Sequence, residues 1–290
     1  PAGYIDRAAA LSKLANHTLC TFGDMLRVPG ERGNLLEAKA AGGDVRMMYS
    51  PLDVLRWAEA EPQRTFVVAA VGFETTLPVY ALLMERLTER GARNVQLLAS
   101  LKAILPALTW ICESEPDIDG FLGPGHVSVI LGSDAYASLC ARYRKPLAVG
   151  GFTYAQVLAA LCDLIGQIQD GACESHNLYP QAVTARGNER AQTLIDRYFT
   201  LVSSVWRGLG EIDASGYVLR PEFASYDAGA WAAGGERETR EGCLCGQVIT
   251  GRILPALCPN FGTACTPASP LGPCMVSAEG TCGIWYQSGV

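Results

Sequence analysis

Six of the eleven cysteines fall in the last 49 residues, at Cys243, Cys245, Cys258, Cys265, Cys274 and Cys282. The same stretch holds eight Gly and five Pro, and its only charged side chains are Arg252 and Glu279. A segment so rich in turn residues and so poor in large apolar ones does not order itself by hydrophobic burial alone. It needs a staple, and thiolates converging on a metal ion or cluster are one. Prolines beside these cysteines stiffen the loops, and the scarcity of charge keeps their surroundings weakly solvated, which is how a protein tunes a redox centre.

The rest of the chain excludes several classes. Of 290 residues 49% are hydrophobic and 18% charged, so global disorder is ruled out. A formal charge of −6 without basic blocks argues against a nucleic-acid groove or a polybasic membrane patch. No apolar run approaches the ~18–20 residues of a membrane helix, and no basic-then-apolar leader opens the chain. An odd cysteine total, spread unevenly, does not suit a secreted disulfide scaffold. The expectation is a cytoplasmic protein that binds neither nucleic acid nor membrane.

Upstream of the tail, short β-prone runs alternate with helical ones. Strands are expected at 18–22, 45–49, 65–71, 95–98, 118–122 and 146–149, and helices at 51–60, 76–90, 101–114, 154–169 and 189–199. The strand runs are apolar without clean alternation, which suits parallel strands covered on both faces. The fold class expected is α/β: two three-layer, parallel-sheet-type domains with an irregular cysteine-rich C-terminal cluster-binding domain. Boundaries are drawn at 1–60, 61–172 and 173–290, with an irregular arm over 226–240. Glycine-rich turns follow several strands, and in open parallel sheets such loops collect at one edge, where sites form. None matches a dinucleotide fingerprint or a phosphate loop.

Each candidate residue has a plain reading beside the chemical one. Cys243 and Cys245 are one residue apart, an awkward bite for two thiolates on one ion. Cys245, Cys258, Cys265 and Cys282 are separated by 12, 6 and 16 residues, unlike the tight pairs of zinc ribbons or the compact ferredoxin run. Scattered loop cysteines still tether cubane clusters, so iron–sulfur, zinc, redox-active thiols and merely buried thiols all stay open at this point. A thiol oxidoreductase is disfavoured because no Cys-x-x-Cys exists. Glu74 follows a strand at a helix start and is either a site carboxylate or a solvated one. Thr75 stands beside it as a possible cap. His126, after Gly-Pro-Gly at a strand end, is either a proton carrier or a loop anchor. Trp206 and Arg207 are either an interface anchor or core.

The order of motifs resembles one family. Cys20-Thr-Phe-Gly-Asp-Met-Leu-Arg-Val-Pro-Gly30, Tyr49-Ser-Pro-Leu-Asp53, Gly72-Phe-Glu-Thr-Thr76 and Gly123-Pro-Gly-His-Val-Ser128 come first. Trp206-Arg-Gly-Leu-Gly210, Cys258-Pro-Asn-Phe-Gly262, Met275-Val-Ser277 and Glu279-Gly-Thr-Cys282 follow. Together they resemble HypD, the scaffold family for maturation of the [NiFe]-hydrogenase metal centre. The resemblance implies two α/β domains and a C-terminal domain with a [4Fe–4S] cluster on Cys245, Cys258, Cys265 and Cys282, leaving Cys243 and Cys274 as extra thiols. It also implies a HypC-type chaperone and a HypE-type cyanide donor as partners, and assembly of an Fe(CN)2CO group on a transiently held iron. Glu74, Thr75 and His126 become the cleft residues. This is redox scaffold chemistry without turnover of a small metabolite. The alternative is a zinc-stabilised α/β interaction module.

The family pattern includes an upstream segment with Cys-Gly-Gly-His-Thr and Gly-Pro-Gly-Cys-Pro-x-Cys stretches. This chain starts at Pro1, and its first cysteine is Cys20. The expectation is therefore an N-terminally incomplete polypeptide that binds a cluster but has little maturation activity as given.

Overall fold

The computed structural model describes residues 2–115, 117–206, 208–229, 242–277 and 279–289. The strands are β1 (His17–Thr21), β2 (Val45–Met47), β3 (Thr65–Gly72), β4 (Val95–Lys102), β5 (Phe121–Pro124), β6 (Leu147–Gly150), β7 (Ser175–Asn177), β8 (Phe199–Trp206) and β9 (Gly210–Leu219). The helices are α1 (Ala2–Ser12), α2 (Leu35–Ala40), α3 (Asp53–Ala60), α4 (Leu77–Arg90), α5 (Ile104–Ser114), α6 (Gly125–Leu131) and α7 (Ala137–Tyr143). They continue with α8 (Tyr154–Asp170), α9 (Glu189–Tyr198), α10 (Cys245–Ile249), α11 (Pro273–Val276) and α12 (Thr281–Ser288).

The larger sheet has the order β2-β1-β3-β4-β9-β8. Its first four strands are parallel, with Leu19 facing Val45 and Val67, and Val68 facing Leu97. Phe66 to Ala70 on β3 are fully buried, which is why this strand carries no alternation: both of its faces meet helices. Leu77, Tyr80, Met84, Ile195 and Tyr198 from α4 and α9 cover one face. Tyr4, Ile5, Ala8 and Leu35 from α1 and α2 cover the other. Gly91, at φ +62, ends α4 in the left-handed conformation that an L side chain avoids.

The smaller sheet, β5-β6-β7, is parallel. Leu108, Cys112, Leu139 and Cys140 pack on one side of it, and Ala160 and Leu164 of α8 on the other. The molecule is thus an α/β fold with two sheet-containing regions. The expected boundary after residue 60 falls between strands that pair with each other, since β3 lies directly beside β1. The hairpin β8–β9, within the expected C-terminal unit, adds two antiparallel strands to the larger sheet through Leu101 opposite Tyr217. Of the expected arm, Tyr226 is buried and Leu97 bridges Asp227, while 230–240 lie outside the described residues. Arg207 lies outside them too. Among the described residues no helix is long and apolar enough to cross a membrane.

Candidate thiol centre and the strand-end loops

The tail folds around sulfur. Cys245, Val248, Cys265, Cys274, Met275 and Cys282 are buried together, with Cys243 packed at the margin. Cys258 is half-buried at the rim. The Cys274 and Cys282 sulfurs lie 3.1 Å apart. Hydrogen bonds to Cys243 and then Cys274, together with burial, push the Cys245 thiol pKa up. Cys274 moves the other way, because Cys245 donates to it and favours its thiolate. The Leu271 N–H donates to Cys265 Sγ at 3.3 Å. Cys274, outside the expected ligand set, therefore sits in the middle of the group, and Cys258, inside that set, sits at its edge.

Two glycines let backbone close over these sulfurs. A Cβ on Gly272 would stand 2.5 Å from Cys243 Sγ, and one on Gly208 would stand 2.9 Å from Cys245 Sγ. Gly208 belongs to the β8–β9 turn and has φ +92. A Cβ on Gly246 would in turn meet the Gly208 carbonyl at 2.1 Å. The Trp206–Gly210 motif is thus the turn that seats the larger sheet on the start of α10. The donor set is six thiols, soft ligands suited to iron–sulfur or zinc. Among the described residues no three His, Cys, Asp or Glu side chains are arranged as a metal-holding group.

The strand-end loops form the second candidate region. Gly72 has φ +138, and a Cβ there would lie 1.9 Å from Thr76 Oγ1. That close approach folds the loop so that Glu74 points inward, 2% exposed. Its Oε1 accepts from the Ile104 N–H at 2.8 Å, at the first turn of α5, while Oε2 is buried without a partner. Burial raises the Glu74 pKa, partly offset by that N–H. Thr75 is half-buried, and His126 is exposed with its ring 5.5 Å from Phe152. Tyr136 lies near both the Glu74 and His126 motifs. The Tyr136 hydroxyl is 2.9 Å from Ser128 Oγ, and the Glu74 carboxylate adds to the burial that raises its pKa.

The two regions touch. Phe73 packs 5.8 Å from Trp206, whose indole N–H donates to Ser215 Oγ at 2.8 Å. Trp206 leads into the Gly208 turn against Cys245, so a short run of contacts joins the Glu74 loop to the sulfurs. Arg252 of the tail pairs with Glu115 at 2.7 Å, just past α5. The turn carrying Asp24, Arg27 and Gly30 faces Pro267, Pro270 and Val276 across a cleft of about 750 Å³.

Comparison with known proteins decides the family. The family model described as "HypD: Hydrogenase formation hypA family" matches residues 1–289. The hydrogenase maturation factor HypD of Rhizobium leguminosarum bv. viciae is 43% identical over 301 residues, spanning 100% of this chain and 78% of that protein. The Azotobacter vinelandii factor of the same name is 41% identical, with 100% and 79% covered. That of Escherichia coli K12 is 38% identical, with 99% and 78% covered. The chain belongs to the HypD family.

Within this HypD-family chain, sequence reasoning left Trp206 as either an interface anchor or core, and Cys274 as an extra thiol. Gly208 was the available signal for the first: a glycine two residues after a tryptophan and two before another glycine marks a tight turn. For Cys274 no spacing rule sufficed, because its proximity to Cys245 depends on how α10 and α11 meet.

Proposed function

We propose that this HypD-family hydrogenase maturation protein is a scaffold and electron donor for assembly of the Fe(CN)2CO group of [NiFe]-hydrogenases. The residues proposed to hold a [4Fe–4S] cluster are Cys245, Cys258, Cys265 and Cys282. When bound, such a cluster supplies single electrons at a potential set by its hydrogen bonds and burial. Here the chain's own contributions are the Leu271 N–H on Cys265 Sγ, the apolar packing of Val248 and Met275, and the Gly208 turn that shields Cys245. Glu74 is the proposed cleft acid. A buried carboxyl kept protonated more readily than in water can hold a proton for a reductive step. His126 and Thr75 complete the cleft at the loop edge.

The observation that carries this reading is the continuous packing from Cys245 through the Gly208 turn and Trp206 to Phe73, next to Glu74. It places the thiol group and the strand-end loops in one contact path. The partners proposed are a small HypC-type chaperone and a HypE-type cyanide donor, with the iron being assembled as cargo. The test is iron, zinc and acid-labile sulfide content of anaerobically purified protein. About four iron and four sulfide per chain are expected for a cubane. Stoichiometric zinc without sulfide overturns the electron-transfer reading and favours a zinc-stapled interaction module.

A further inference from the structure

Helix α8 lies on the smaller sheet through Ala160, Leu164 and Gln167 and turns an apolar ridge outward. Tyr154 is 97% exposed, Leu158 62%, Leu161 41%, Ile165 55% and Ile168 44%. These positions step by 4, 3, 4 and 3 residues, which keeps them on one line down the helix, the spacing of a two-helix seam. Beside the ridge, Ala155, Ala159, Cys162 and Gly166 form a parallel line of small residues. A ridge next to such a groove is the surface into which another helix packs closely. Phe152, 67% exposed, extends the apolar strip to His126 at the loop edge.

The strip exposes on the order of 600 Å² of apolar side chain, the upper end of the largest patch found on a typical monomer, and such patches are often functional. That approaches the ~800 Å² each partner contributes to a standard interface. Charge along α8 and the loop that follows it has one sign. No Lys or Arg occurs between Lys145 and Arg186, whereas Asp163, Asp170 and Glu174 do. His176 offsets part of this by pairing with Asp163 at 2.8 Å and Glu174 at 3.1 Å. A second copy would set two acidic rims against each other, in a chain already carrying −6.

We infer that the outer face of α8 docks an amphipathic helix of a partner protein, one with an apolar 4–3 stripe flanked by Lys or Arg. The docked helix runs about 21 Å along the ridge and brings the partner beside His126. The inference stands on the helix itself and does not require the proposed function.

The probe is a synthetic helix of about six turns with Leu at 4–3 spacing and Lys on its flanks, compared with the same peptide carrying Glu on its flanks. Binding to the full chain is read by fluorescence anisotropy. The Lys peptide is expected to bind at least ~10-fold more tightly than the Glu peptide. Leu158→Glu and Ile165→Glu are each expected to weaken it ~10-fold or more, with far-UV circular dichroism unchanged because both side chains face solvent. Tyr154→Ala gives a second, milder reading at the ridge end. Equal affinity for both peptides, or binding that ignores these substitutions, overturns the inference. So does a dimer in sedimentation that Leu158→Glu dissolves, which would assign the face to a second copy.

Discussion

β3 of the larger sheet buries Phe66, Val67, Val68, Ala69 and Ala70 in succession, whereas the tail's buried cluster has six members, of which four are cysteines. The first region is held by many interchangeable apolar contacts. The second is held by a handful of sulfur contacts and by glycines that let backbone approach them. Order in the sheet therefore comes from apolar burial, while order in the tail comes from packed thiols and from close backbone approaches that only glycine permits.

Two substitutions break this comparison most sharply. Phe66→Ala removes a fully buried aromatic ring at the centre of the sheet and should cost about 3–5 kcal/mol, read as a lower urea midpoint. Cys282→Ser should leave the global unfolding free energy within ~1 kcal/mol of the parent, because surface-layer modules open separately from a core. Its effect should appear instead as faster amide exchange over 245–288. If Cys282→Ser shifts the midpoint as far as Phe66→Ala does, the two regions unfold as one unit and the comparison fails.

The sheet was legible in the sequence because burial on both faces leaves a strong mark: an apolar run of strand length, then a glycine turn, then a helix. The expected helices 76–90 and 154–169 end beside Gly91 and Gly171, both of which are left-handed in the structure. The hairpin β8–β9 was not legible. Leu201 and Val202 are exposed and Ser203 pairs with Asp213 on the surface, so an edge ribbon lacks the apolar signature of its neighbours. At the site, the cysteines could be counted but not placed. Glu74 was found as a loop carboxylate, yet its burial against the start of α5 arises only once Gly72 bends the loop. Long-range closeness of this kind has no local pattern to read.

Glu74 sharpens the comparison from the sheet side. Glu74→Ala leaves the part-buried Ile104 N–H without its acceptor and should cost about 1–3 kcal/mol. Glu74→Gln keeps an acceptor oxygen and removes the charge. Because the folded pKa is raised by burial, the wild-type contribution is fully present below the unfolded pKa and is lost as pH rises through the folded one. The Gln variant should therefore gain stability relative to the parent from acid to neutral pH in paired urea titrations. A parallel pH dependence of the two proteins would show that the carboxyl is solvated.

Gly208→Ala tests the seam between the regions. It places a Cβ against Cys245 Sγ at a backbone angle that L side chains rarely adopt, a strain of about 1–2 kcal/mol. The expected readout is local: tail exchange quickens and metal retention falls, with little change in the sheet's midpoint. Leu209→Ala, in the same turn, should do neither.

The smallest effect belongs to His176, which ties the short edge strand β7 to α8. Its Nδ1 lies 2.8 Å from Asp163 and its Nε2 3.1 Å from Glu174. The hydrogen bond with Asp163 is the largest cause of its raised pKa, with Glu174 adding and burial opposing. A raised folded pKa means the stabilisation is complete below the unfolded value, near ~6.5, and disappears as pH rises through the folded value. With the imidazole 38% exposed, solvent screening holds the effect below ~1 kcal/mol. His176→Gln should thus melt lower than the parent at about pH 5.5 and match it at about pH 8.5. The reverse order would mean that the neutral ring, as a plain hydrogen-bonding group, is what holds β7 in place. In either case, the change should register in exchange of β7 and α8 and leave the thiol cluster untouched, since the ion pairs lie in the smaller sheet and not in the tail.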